Sequence, residues 1–278
     1  MDDIDLARDR RTTRDRRAYT RDAEAAALVA ALDSGAIEVL FQPQYAAVRG
    51  ALIGAEALVR WNCGDHTVIG GATLFEVAER GGLAGRLSRH VAGVALAAAA
   101  GWRDDLQLSL NVTAADLAEA NFANMIAAAV AAADFPPERL TLEITEQVLV
   151  ADLDRSAERL RQLADLGMRI ALDDFGAGFC NFGYLKRLPL HYLKLDRSMV
   201  EGVDESPRDL AVLRGIISMA VALELDVVAE GVERESQRAT IEREGCTAWQ
   251  GFLGAKPMSA NEFVDLTVTQ YFASDERT

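Results

Sequence analysis

The sequence predicts an α/β fold of the (β/α)8 barrel type. Strand-like and helix-like runs alternate about eight times with short links. The length, 278 residues, suits one large domain of this kind. Several strand-like runs end in an acid or an amide, as happens where the C-terminal ends of barrel strands converge on one mouth. A doubly wound open sheet is the structural alternative. The chain lacks the glycine fingerprint of a dinucleotide site, which weakens it.

Residues 1–22 alternate Arg and Asp with almost no apolar content and read as a solvated helix or linker. The barrel is expected from 23 to 278. Ala23 to Leu32 is an Ala-rich helix stopped by Ser34-Gly35. Ile37 to Phe41 and Ala51 to Val59 are strands. Ala72 to Arg80 is a helix closed by Gly81-Gly82, and Leu83 to Ala100 a second one. Gln107 to Leu110 is a strand running into Asn111. Thr113, with Asp116 three residues on, forms a capping box. Leu140 to Ile144 is a strand carrying Glu143, and Arg155 to Leu166 a helix closed by Gly167. Met168 to Leu172 is a buried strand ending in Asp173-Asp174, released by Gly176 and Gly178. Tyr192 to Asp196 is a strand. Ser206-Pro207 starts a helix that reaches Leu223. Leu225 to Ala229 is a strand ending at Glu230. Glu233 to Glu244 is a helix stopped by Gly245, and Ala248 to Phe252 the last strand.

The composition, 50% hydrophobic and 26% charged, is that of an ordinary folded protein. No apolar run approaches a membrane span and no signal-peptide pattern opens the chain. Cys63, Cys180 and Cys246 are odd in number and lack metal-type spacing, so they read as reduced thiols in a cytoplasmic protein. The net charge of −14 argues against binding nucleic acid polymers or anionic membranes. A phosphate-bearing substrate would need local positive charge, most simply from divalent metal.

Glu56, Asn111, Glu143, Asp173, Asp174, Lys194, Glu230 and Gln250 stand at or near strand ends. Singly, each has a bland reading as a solvent-facing strand position or a turn residue. Converged at a barrel mouth, they would form an oxygen cluster with one lysine, suited to Mg²⁺ or Mn²⁺ rather than zinc. Adjacent aspartates can flank two ions about 3.5–4 Å apart, the arrangement for in-line phosphoryl displacement. Lys194 would orient the attacking water, or take its proton if its pKa were depressed.

The run Glu56-Ala57-Leu58-Val59-Arg60-Trp61 resembles the signature of the EAL-domain family of cyclic di-GMP phosphodiesterases. The resemblance continues in order through Phe41-Gln42-Pro43, Leu110-Asn111-Val112-Thr113, Thr141 to Glu146, Asp173-Asp174-Phe175-Gly176, Leu193 to Ser198, Ala229 to Glu233 and Gln250-Gly251-Phe252. It spans roughly residues 25–265.

The resemblance implies a modified TIM (β/α)8 barrel with one antiparallel strand. It implies hydrolysis of one phosphodiester bond of cyclic di-GMP to linear pGpG by a water activated between two ions. Glu56, Asn111, Glu143 and Asp173 match the ligands of a first metal. Asp173 and Asp174 match those of a second, with Glu230 in the same set. Lys194 matches the lysine assigned to the attacking water, and Gln250 the glutamine near it. Glu146 matches a glutamate fixing the loop after Asp174, and Arg60 a phosphate contact. Gln42, Leu58 and Asp196 match groove-lining residues, and Glu233 a supporting acid. Mg²⁺ or Mn²⁺ should support turnover, while Ca²⁺ should bind and support it poorly. The resemblance also implies a homodimer, and the Arg/Asp-rich start is expected to connect the barrel to an upstream sensory or GGDEF-type domain. A receptor that binds without cleaving, an interaction module and an enolase-type barrel are the competing readings. The intact Glu56, Asp173, Asp174, Lys194 and Glu230 favour the enzyme. The sequence departs from the family pattern at Ala177, Cys180 and Asn181 and at Gly71, Leu74 and Phe75, none of them a matched ligand.

Overall fold

The computed structural model describes residues 22–63, 67–146, 148, 152–178 and 182–275. The expected charged segment 1–22 and Cys180 therefore lie outside the described residues, save Asp22, which already belongs to a helix. The chain divides into two compact units, 1–38 with 59–90, and 39–58 with 91–278.

In the first unit, helix α1 (residues 22–34) buries Leu28, Ala31 and Leu32. Helix α2 (Gly71–Arg80) buries Leu74, Val77 and Ala78. Arg80 and Arg86 pair with Glu24 and Asp33 on α1. Two strands, β1 (Ile37–Ala46) and β2 (Leu52–Asn62), pass from one unit into the other along the chain. Arg60 lies on β2 opposite Gly70 of the short antiparallel strand β3 (Val68–Gly70), and its Nη1 donates to the Val59 carbonyl at 2.8 Å. The sequence reading did not predict β3.

Eight strands form a closed barrel, with β3 as an extra strand on β2. Strands β4 (Gln107–Asn111), β5 (Leu140–Thr145), β6 (Arg169–Phe175), β7 (Tyr192–Leu195), β8 (Asp226–Ala229) and β9 (Ala248–Gln250) run parallel, with β4 beside β2. Strand β1 is antiparallel to β9, pairing Gln44 with Gln250, and this is the expected reversed strand. Pairing of β1 with β2 closes the barrel.

Short polar signals set the helices. The Thr113–Asp116 capping box opens α4 (Ala114–Ala118) as read from sequence. Asp152 caps α6 (Leu153–Asp165), and Ser206 accepts from Asp209 N ahead of α9 (Pro207–Ala222). Gly245, left-handed at φ 103°, ends α10 (Glu235–Glu244). Four of the described α-helices went unread: α5 (Phe122–Ala132), α7 (Phe182–Leu185), α8 (Arg197–Val200), which follows Asp196 directly, and α11 (Ala260–Asp275). From α11, Phe263 packs its ring 4.5 Å from Trp102 and 6.2 Å from Phe41, anchoring the outside of the barrel. Helix α3 (Ala84–Ala99) adds fully buried Ala95, Leu96 and Ala99.

Candidate active site

The mouth is built by strand alternation and one break in it. Side chains along a strand point alternately to opposite faces, so inward positions recur every second residue. That places Asn111, Glu143, Asp173 and Lys194 inward near the ends of four neighbouring strands. By the same rule Asp174 should point outward. Strand β6 shifts register against β7 between Leu172 and Phe175, and Asp174 adopts φ 55°. A bulge of this kind re-aims a side chain, and Asp tolerates the left-handed region better than most residues. Both carboxylates consequently reach the mouth. One ligand oxygen from each of Asp173, Asp174 and Glu230 lies within 4.8 Å of the others.

Lys194 sits at the centre, 1% exposed. Its Nζ lies 2.8 Å from Glu230, 3.2 Å from Asp173 and 3.6 Å from Glu56, and it donates to Glu143. Glu56 also accepts from Asn111 Nδ2 at 2.7 Å and from Gln250 Nε2 at 2.8 Å. Gln250 Nε2 also reaches Gln42 Oε1 at 3.1 Å, and its Oε1 accepts from Gln44 Nε2 at 3.0 Å. Gln250 is thus tied on both sides by protein groups and fixes the Glu56 carboxylate.

The charges respond to this crowding. Burial would lower the Lys194 pKa, but Asp173, Glu143, Glu230 and Glu56 outweigh it and push it well above the usual lysine range. In the metal-free protein these four carboxylates hold the ammonium charged. Burial, with repulsion from Glu56, Asp173 and Glu230, raises Glu143 well above the carboxylate range against the pull of Lys194. Burial likewise pushes Glu230 up to about 8. Glu56 goes the other way. Burial raises it, but Lys194 and hydrogen bonds from Gln250 and Asn111 lower it further. Partial burial and the neighbouring Asp173 raise Asp174.

Five carboxylates around one ammonium leave the cluster short of positive charge. All the candidate ligand atoms are hard oxygens, including the Asn111 amide oxygen, whose nitrogen is spent on Glu56. Asp173, Asp174 and Glu230 can hold a metal ion.

These residues face an open cavity of about 310 Å³ lined by Gln42, Glu56, Leu58, Asp173, Asp174 and Glu230, and also by Glu233 and Gln250. Arg197, Phe252 and the glycines Gly231 and Gly251 complete the lining and were not predicted as site residues. Arg197 and Phe252 stood inside quoted motifs, but nothing in their spacing marked them. Arg197 is held at the rim by Glu233, 3.0 Å away. Phe252 is half exposed, with Lys256 Nζ 5.5 Å from its ring centre. Asp196 is absent from the cavity lining. Its carboxylate instead accepts from Ser198 N at 3.0 Å, capping α8. Arg60 belongs to the other unit. Glu146 follows β5, and the loop it was expected to fix includes residues 179–181, outside the described ones.

A family model for the EAL domain matches residues 25–257. The chain is 34% identical over 238 residues to MucR of Pseudomonas aeruginosa, a bifunctional diguanylate cyclase/cyclic di-GMP phosphodiesterase. That match covers 84% of this chain and 35% of MucR. It is 35% identical over 241 residues to the cyclic di-GMP phosphodiesterase RocR of the same species, covering 86% of this chain and 62% of RocR. The chain therefore spans about a third of the one relative and under two thirds of the other. Among solved structures, the MucR phosphodiesterase in complex with c-di-GMP superposes with a TM-score of 0.81 at 33% identity, covering 87% of this chain and 99% of that one. With the family pattern matched over most of its length and the barrel and its acidic mouth in place, the chain belongs to the EAL domain family.

Proposed function

We propose that this chain hydrolyses one phosphodiester bond of cyclic di-GMP, giving linear pGpG, with the help of two divalent ions, Mg²⁺ or Mn²⁺. The observation that carries the reading is the convergence of Glu56, Glu143, Asp173, Asp174 and Glu230 on Lys194 at an open mouth. Glu56, Asn111, Glu143 and Asp173 would hold one ion, and Asp173 and Asp174 the other, with Glu230 beside them. Bound ions supply Lewis acidity and positive charge for the substrate phosphate, which an acidic protein otherwise repels.

The chain's own residues do the rest. Lys194, kept charged, donates to the attacking water and stabilises negative charge developing on the phosphate. Gln250 and Asn111 hold Glu56 in one orientation. Gln42, Leu58, Glu233, Arg197 and Phe252 line the space for the dinucleotide. Arg60 as a phosphate contact, Asp196 as a groove residue and Glu146 as a loop support belong to the same proposal.

We place this activity in the cytoplasm, as the output of a larger signalling protein with a sensory or GGDEF-type domain, and in a homodimer. Light scattering of the purified chain tests the dimer. None of the described helices is long and apolar enough to cross a membrane.

The test is chromatographic: the purified chain with cyclic di-GMP and Mg²⁺ or Mn²⁺, against a chelator control. Metal-dependent pGpG supports the proposal. Ca²⁺, larger and looser in geometry, should bind and give much slower turnover. Binding seen by calorimetry without product would replace the enzyme by a receptor.

A further inference from the structure

The barrel is hollow at both ends. Small branched or bulky side chains usually fill the interior of such a barrel in layers. Here a second cavity of about 330 Å³ lies inside the strands behind the mouth. Its wall includes the small or polar residues Ser109, Thr141, Ala171 and Ala248, beside the branched Ile53 and Val228. Its outer rim carries Asp105 and Asp226, both exposed, with Arg169 and Tyr192 joined at 2.5 Å.

Ser109 and Thr141, 3% and 4% exposed, bring hydroxyl groups to this wall. Polar groups on such a wall are met by ordered water where the space is polar and large enough. The cavity is large enough to hold several waters.

The inner wall of this chamber is the floor of the mouth. Glu143 and Lys194 line it, while Asp173, Glu230 and Glu56, bonded to Lys194, line the mouth. A glutamine chain crosses the same wall. Gln44 lines the rear chamber and donates to Gln250, which donates to Gln42 at the mouth. The residues that tie the two linings together by hydrogen bonds and ion pairs are therefore polar.

We propose that this rear chamber is a water site that keeps the Lys194–Glu143 wall in contact with solvent from the end of the barrel opposite the mouth. Resting on the hydrolytic reading, the consequence is that the Lys194–Glu143 wall keeps a hydrated rear side while a dinucleotide covers the front.

The test is water-to-protein magnetisation transfer by NMR, read at Ser109, Thr141 and Ala171. Wild type should show transfer from bound water at these residues. That signal should persist when a phosphorothioate analogue of cyclic di-GMP fills the mouth. Ala171→Leu, which puts an isobutyl group into the chamber, should weaken the signal and bind the analogue as wild type does. Thr141→Val, nearly isosteric, keeps the test usable should Ala171→Leu fail to fold. It should weaken the water signal at position 141 several-fold. A dry chamber in wild type overturns the proposal, as does a water signal that vanishes when the analogue binds. A wild type that binds no cyclic dinucleotide would sink the proposed function, and the free-protein signal would still decide the chamber.

Discussion

Asp173 and Asp174, adjacent on β6, both deliver a carboxylate oxygen to one point, within 4.8 Å of each other and of Glu230. Regular alternation forbids this, and the register shift after Leu172 together with φ 55° at Asp174 permits it. The local backbone is thus part of the site.

Position 174 separates backbone from charge. Asp174→Asn keeps a side chain that tolerates the left-handed region and should leave stability near wild type. Asp174→Ala should cost about 1 kcal/mol more, the scale of a left-handed penalty for a residue with a Cβ. Both should bind divalent metal more weakly. Denaturant unfolding of the two variants checks the first point and calorimetry with Mn²⁺ the second. Equal stability of Asn and Ala would mean that the bulge is held by its surroundings alone.

Lys194→Met should be a metal-dependent lesion. It leaves Glu56, Glu143, Asp173 and Glu230 facing one another without their ammonium. Breaking a buried ion pair from one side costs roughly 3–5 kcal/mol. Unfolding without metal should show a loss of that order, largely regained at saturating Mg²⁺, with turnover absent throughout. Unchanged metal-free stability would show that the ammonium does not hold the carboxylates together.

The metal-free protein should lose stability as pH rises. Glu230 is pushed from 4.5 to about 8, and Glu143 and Asp174 move upward as well. Between the ordinary carboxylate range and about pH 8 the folded state therefore holds more protons than the unfolded one. Stability then falls with increasing pH across that window. Glu56, shifted down, contributes oppositely, and only in acid. Cation binding must displace these protons, so divalent affinity should climb up to about pH 8. Calorimetry across pH 5–9 reads both trends, and an affinity flat over that range would contradict them.

Much of this architecture was legible because its signals are local. Thr113 with Asp116, Ser206 with Pro207, and Gly245 each set a helix end through a contact a few residues away. The Asp173–Asp174 pair was visible as chemistry, but the bulge that aims Asp174 inward depends on pairing with β7 and leaves no mark in the run itself. Arg197 was hidden similarly, since its place at the rim comes from Glu233, 36 positions later by number. The charge state of Lys194 was hidden too, because it is set by carboxylates that come from several strands at once. Helix α11 was missed because its exposed Val264 and Val268 blur an amphipathic pattern, while Phe263 docks on Trp102.

Gly251 tests how the wall of the mouth is held. An added Cβ there would run into the backbone of Val232, its carbonyl oxygen and nitrogen both well inside contact distance. Backbone cannot turn aside as a side-chain tip can. Val232 N also donates to Gln250 O at 3.1 Å, so any shift is passed to Gln250 and from there to Glu56. Gly251→Ala should therefore destabilise by about 1–3 kcal/mol, the range for forced overpacking. In the folded fraction it should also weaken divalent binding, although no proposed ligand is touched. Gly254→Ala is the control: its Cβ would meet the Tyr45 ring, on the outer side of β1, so it should lower stability and leave metal affinity unchanged. Loss of metal affinity in both variants would trace the effect to general loosening, and loss in Gly251→Ala alone to the Gln250–Glu56 hydrogen bond.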